Sequence, residues 1–215
     1  NEKFDFKRIE NGPDKEGIRN FIRDLCIYDG IRGIQYCGEE TTILAEQLVD
    51  LPRYKGMDEI EIPVTNPNAI KWLYLARQLG KLNTKDKKRL SQVYLYEFYE
   101  ALKTAKFIAP MRLHGYDQLL EDNPQTDVVP NIPFDLAMQP GNTKELTLKV
   151  YTDWKRLRKH FGEEYKGLVV TLDEPLAFHD VVINPGDHPM AAATITEEWY
   201  NEVKRKTDSI RKATP

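Results

Sequence analysis

Apolar residues along this chain repeat with periods near 3.6 and 2, and the changes of period mark its elements. The densest runs, Leu168-Val169-Val170 and Val181-Val182-Ile183, fall in one stretch between Gly167 and Ile195. They predict two buried strands joined by about one turn of connector. An Asn184-Pro185-Gly186-Asp187 turn closes the second, and a third strand follows over 191–195. Thr196 then caps a helix bearing Trp199 and Val203, whose polar end frays from Lys204 onward.

Upstream, the helical period returns in several places. Ile18, Phe21, Ile22, Leu25 and Cys26 share one face after a capping Asp14, and Gly30 stops that helix. Residues 4–9 and 31–37 alternate as short strands, 39–51 returns to helical spacing through Ile43, Leu44, Leu48 and Leu51, and 58–64 alternates again. The first 64 residues therefore read β-α-β-α-β. Asn66-Pro67 starts a helix with Ile70, Leu73, Ala76 and Leu79 inward. Thr84 caps a longer one, striped by Leu90, Val93, Tyr94, Phe98, Ala101, Leu102 and Ala105. Pro110 makes 106–113 an edge strand, because an edge needs no ladder donor there. Residues 114–131 read as a disordered surface loop. Residues 132–138 and 145–151 form a hairpin around Gln139-Pro140-Gly141-Asn142, with Pro and Gly at the centre of a type II turn. Thr152 caps a short helix with Trp154, Leu157 and Phe161 inward.

The expected class is α+β: a mixed, mostly antiparallel sheet flanked by helices, with the small N-terminal β-α-β-α-β region. The expected division is 1–64 as a subdomain or extension, 65–207 as the main domain and 208–215 as a flexible tail.

Composition narrows the function more than the fold. A formal net charge of −3 argues against a general nucleic-acid binder, which needs an excess of Lys and Arg facing phosphates. The basic run 85–89 reads as a solvated helix face. No apolar run approaches the ~18 residues needed to span a bilayer, so the expected setting is the cytoplasm and no membrane partner. The two cysteines, Cys26 and Cys37, read as reduced, buried thiols.

The order of elements from about 66 to 203 resembles the N-terminal domain of the SseB family, the enhanced serine sensitivity proteins. Four stretches carry the resemblance. They are the Asn66-Pro67 helix start, the long helix running into Phe107-Ile108-Ala109-Pro110, Val150-Tyr151-Thr152-Asp153-Trp154, and Val182-Ile183-Asn184-Pro185-Gly186. It spans about two-thirds of the chain and leaves 1–64 unassigned. What it implies is a compact α+β domain with no established catalytic mechanism.

No catalytic set emerges from the residues. HExxH, CxxC, GxxxxGK[ST] and GxGxxG are all missing, and neither serine nor cysteine sits on a glycine-flanked elbow. His179-Asp180 and Asp187-His188 bracket one strand, roughly 25 Å apart at ~3.3 Å per residue, too far to share an ion. No metal or cofactor is expected. The candidate binding surface joins Asp153 and Trp154 to the turn Asn184, Pro185, Gly186, Asp187 and His188, an aromatic beside polar turn groups. The leading expectation is a non-enzymatic domain for a protein partner or a homo-oligomer. The alternative is a metabolite-sensing domain or weak enzyme using His179 and His188 as acid–base groups.

Overall fold

Strand β3 (Phe107–Leu113) runs through the middle of the sheet, in a computed structural model describing residue 9 and residues 16–35, 41–81, 86–114, 133–141 and 144–213. It pairs antiparallel with β4 (Phe134–Leu136) on one side and β7 (Lys166–Val170) on the other. A second sheet has the order β5 (Met138–Pro140), β6 (Leu146–Val150), β8 (Asp180–Ile183), β9 (Ala193–Ile195), with β6 and β8 parallel and the other pairs antiparallel. Helices α1 (Glu16–Asp29), α2 (Pro67–Lys81), α3 (Lys87–Thr104), α4 (Trp154–His160), α5 (Asp173–Leu176) and α6 (Glu197–Ala213) complete the described elements. The chain is an α+β protein.

The edge-strand reading of 106–113 is overturned, and Pro110 explains how a proline survives in a central strand. Ala137, between β4 and β5, donates its N–H to the Pro110 carbonyl at 2.9 Å. The Ala137 carbonyl instead accepts from the Lys149 N–H of β6 at 3.0 Å. The donor that Pro110 lacks is therefore not needed, and the chain crosses from one sheet to the other at that point. Ile108 and Tyr151 exchange both backbone bonds, at 2.9 and 2.8 Å, and tie the sheets together further along.

The hairpin of β5 and β6 is present, but Pro140 lies inside β5, paired with Leu146, rather than at the centre of a turn. Strand β5 ends its sheet, where a missing N–H is tolerated. Residue 142 lies outside the described residues, as do Thr84, Asp14, Cys37, residues 4–8 and residues 115–131.

One face of the sheets carries the main core. Phe107, Ala109, Leu148, Val150, Val170, Val181, Ile183 and Ile195 meet Leu73 of α2, Phe98, Tyr99 and Leu102 of α3, and Tyr200 and Val203 of α6. The stripe on α3 is narrower than its sequence suggests, since Val93 is exposed and Tyr99 is buried in its place. On α2, Ala69 rather than Ala76 faces inward. The opposite face holds a smaller core of Ile108, Tyr151 and Leu157, with Val64 and Phe161 against it.

The N-terminal region departs most from expectation. The helix foreseen over 39–51 is instead β2 (Thr42–Leu44), paired with β1 (Gly33–Gln35), and a 3-10 turn Ala45–Gln47. Consecutive Thr41, Thr42 and Ile43 are stiff at χ1 and favour extended backbone. Ile43 and Leu44, assigned to the helix's apolar face, are exposed, while Ala45 and Val49 join Ile22 and Cys26 in a small core. The strand foreseen over 58–64 is a 3-10 turn Glu59–Glu61 followed by unpaired chain, Glu59 forming an ion pair with Lys106. The β-α-β-α-β reading thus gives way to a helix, a two-stranded ribbon and two 3-10 turns among the described residues.

Helix α1 docks on α2 through its glycine stop. Gly30 has φ +70, and a Cβ there would fall far inside van der Waals contact with the Pro67 carbonyl oxygen. Gly30→Ala combines left-handed strain with that clash, so an equilibrium urea titration should show at least ~1–2 kcal/mol of lost stability.

Candidate functional site

Helix α4 begins at a side-chain cap. The expected cap was Thr152, but Asp153 caps it, with Oδ1 accepting from the Arg156 backbone N–H at 2.9 Å. Thr152 sits one residue too early for that bond. Its hydroxyl donates to Asp153 Oδ2 at 2.8 Å. The first turn of α4 carries no acid and has Lys155 and Arg156 instead, which oppose the helix dipole and require local carboxylates.

Arg156 supplies the centre of the site. Its guanidinium binds Asp29 at 2.5 Å, Asp153 at 2.6 Å and Asp187 at 2.9 Å, and it also reaches the Tyr28 carbonyl at 3.3 Å. These carboxylates come from the end of α1, the cap of α4 and the turn after β8. Arg156 is only 11% exposed and Asp153 1%, so this is a buried ionic cluster. Burial opposes the guanidinium's charge, but Asp153, Asp29 and Asp187 more than offset it and keep Arg156 protonated. Asp187 is pulled the same way. Burial disfavours its charge, yet hydrogen bonds from Lys159, the His188 backbone and Arg156 hold its carboxyl below the ordinary range. Lys159 reaches Asp187 at 2.8 Å, and Lys155 pairs with Asp24. The Tyr74 hydroxyl donates to Asp29 at 3.1 Å, and burial together with Asp29 pushes its pKa up to about 12. Between these groups lies a cleft of about 180 Å³.

The turn that holds Asp187 is built by Asn184, which is fully buried at φ 49, the one non-glycine residue with positive φ among those described. Its Oδ1 accepts from the Thr152 N–H at 3.0 Å, and its Nδ2 donates to the Ala191 carbonyl at 3.1 Å. Its backbone N–H reaches Val150 at 2.8 Å, and its carbonyl accepts from Asp187 at 3.2 Å. The Pro185 carbonyl accepts from the Tyr151 hydroxyl at 3.3 Å, and Gly186, at φ 79, packs beside the His160 ring. Asn184 thus serves the scaffold and faces no solvent.

Asp153 and Asp187 are brought together, and Asn184 fixes the second of them. Trp154 is not part of that cluster. It is 38% exposed, its ring lies against Gly167 of β7, and the Arg158 guanidinium stacks on it at 5.3 Å. Two helix positions separate Trp154 from Arg156, which points them to nearly opposite sides of α4. His188 is exposed, with Nδ1 accepting from the Met190 N–H at 3.2 Å, and His179 stands at the other end of β8. Among the described residues, no group of three or more His, Cys, Asp and Glu is arranged to hold a metal ion, and no helix is long and apolar enough to cross a membrane.

No family model, curated protein or solved structure matches this chain. The site therefore has to be judged on its own geometry. Asp29 and Tyr74 escaped the sequence reading because they come from distant segments, and Arg156 and Lys159 because their partners do. One signal was available: Asp153 and Arg156 stand three apart at a helix start, where an unpaired arginine would be unfavourable.

Proposed function

We propose that this protein is a non-enzymatic protein-interaction domain, using the surface formed by Trp154 and the edge of β7. The observation that carries this reading is the placement of Trp154, 38% exposed and laid on Gly167, with Val169 of the same strand 46% exposed. A Cβ on Gly167 would collide with that indole ring and with Ile108, so the glycine is what seats the tryptophan on the strand. Gly167 and Val169 project on one face of β7, so the two apolar groups form a continuous patch. A rigid aromatic flanked by aliphatic surface is the usual anchor of a protein contact. The charged cleft supports the same reading from the other direction. Its guanidinium and carboxylates are bonded to one another, which leaves neither an unpaired base nor an unpaired acid at its centre. The SseB-like order of elements is part of the proposal, supported by the helix started at Asn66-Pro67 and by the Ile183-Asn184-Pro185-Gly186 turn between β8 and β9.

Affinity capture with wild type and Trp154→Ala tests it. The variant should keep the wild-type circular dichroism spectrum, and recovery of the partner should fall about tenfold, the scale of an interface anchor. Undiminished recovery contradicts the assignment. A thermal-shift panel of amino acids, nucleotides and divalent ions should be silent; a specific rise of several degrees would instead favour the metabolite-sensing alternative.

A further inference from the structure

We propose that β7 is a homodimerisation edge, at which two copies of the chain pair their β7 strands antiparallel about a two-fold axis through Leu168. This rests on the interaction surface of the preceding section and names its occupant.

The backbone leads there first. Strand β7 has β3 on one side and no strand on the other among the described residues. Ile108 directs its N–H and carbonyl to Tyr151, away from β7. Its cross-strand neighbour Val169 therefore stands in a non-hydrogen-bonded pair and turns its own N–H and carbonyl outward, as does Gly167 two residues earlier. Neither residue has a main-chain partner on that side among the described residues. The groups that blunt this edge stand at its two ends, Lys166 at the start and the Glu174 carboxylate on the Thr171 N–H just past the finish, and leave the middle open among the described residues. The strand has no proline, and the face that bears Trp154 shows only Gly167 and Val169.

The register follows from which residues face outward. Antiparallel pairing about Leu168 sets Gly167 opposite Val169 of the second copy, and Val169 opposite Gly167 of the second copy. Both are hydrogen-bonded pairs, and each satisfies the outward groups of the other chain. The indole on Gly167 then lies directly beside the Val169 side chain of the second copy, so the two exposed apolar groups cover each other twice. Charge is complementary in the same register. Lys166 falls opposite Val170 of the second copy, alongside Glu174 of that copy, whose carboxylate is anchored by the Thr171 N–H at 3.3 Å. A two-fold arrangement closes on itself, whereas a head-to-tail one would continue into a filament. One strand pair with a tryptophan on each side is a small contact beside the ~1,200–2,000 Å² of stable complexes, so the expected dimer is a weak one.

Sedimentation velocity on the full chain across the micromolar range tests this. The wild-type mass should climb from the 25.0 kDa of one chain toward twice that value. Val169→Lys should stay at one chain mass with an unchanged melt. Lys166→Glu and Glu174→Lys should each weaken the dimer, and their combination should restore it, because the ion pair re-forms with its ends exchanged. A wild type that stays monomeric, a Val169→Lys dimer, or a charge exchange without restoration overturns the proposal. A monomer that still captures a partner through Trp154 overturns self-pairing alone and leaves the interaction surface standing.

Discussion

Arg156→Ala should lower stability at neutral pH by about 3–5 kcal/mol, as much as truncating a large core side chain. The guanidinium is the shared partner of Asp29, Asp153 and Asp187, so its removal leaves one buried and two half-buried carboxylates facing one another. For a chain of this length the melting temperature should fall by roughly 10 °C. The pH dependence has a definite sign. Asp187 ionises more readily folded than unfolded, so its contribution is present above the unfolded carboxyl value of ~3.9 and is lost as pH falls through the lower folded value. In the variant the crowded carboxylates gain by taking up protons. The gap between wild type and Arg156→Ala, measured by urea titration, should therefore narrow as pH drops toward about 4.

Asn184→Ala should cost about 2–4 kcal/mol. Two separate costs combine. An alanine at φ 49 carries left-handed strain of ~1–2 kcal/mol. Loss of the amide also strands the buried Thr152 N–H and the Ala191 carbonyl, at ~1–3 kcal/mol for such groups. Asn184→Gly separates the two, because glycine accepts the backbone conformation but restores neither bond. It should lie between wild type and Asn184→Ala in the same titration. A glycine variant as damaged as the alanine one would show that the backbone conformation contributes nothing.

Those two residues also show what the sequence did and did not disclose. The Asn184-Pro185-Gly186-Asp187 turn was legible because tight turns demand those residue types locally, and the runs before and after it became β8 and β9. That Asn184 spends both ends of its amide on Thr152 and Ala191 was not legible, since those partners belong to other elements. The Gly30 stop and the Thr196 cap, which accepts from the Trp199 N–H at 3.2 Å, were local and readable. Pro110 misled for the opposite reason. Its position in a central strand depends on Ala137 handing its carbonyl to Lys149, a tertiary event that no window around Pro110 contains. The segment 39–51 failed because its apolar residues fit a helical period, while its β-branched start and its burial against α1 favour a strand and a 3-10 turn. The candidate site was half legible. Asp153, Trp154 and Asp187 were recognisable as residue types at strand ends, but Arg156 divides them into a buried clamp and an exposed aromatic surface.

That division assigns Arg156 a structural role, joining the end of α1, the cap of α4 and the turn after β8. Hydrogen–deuterium exchange on Arg156→Ala at neutral pH tests it most directly. Residues 16–29 and 184–187 should lose protection together, while β3 and α3 keep theirs relative to one another. Uniform loss across the chain, or unchanged protection in α1, would contradict the clamp.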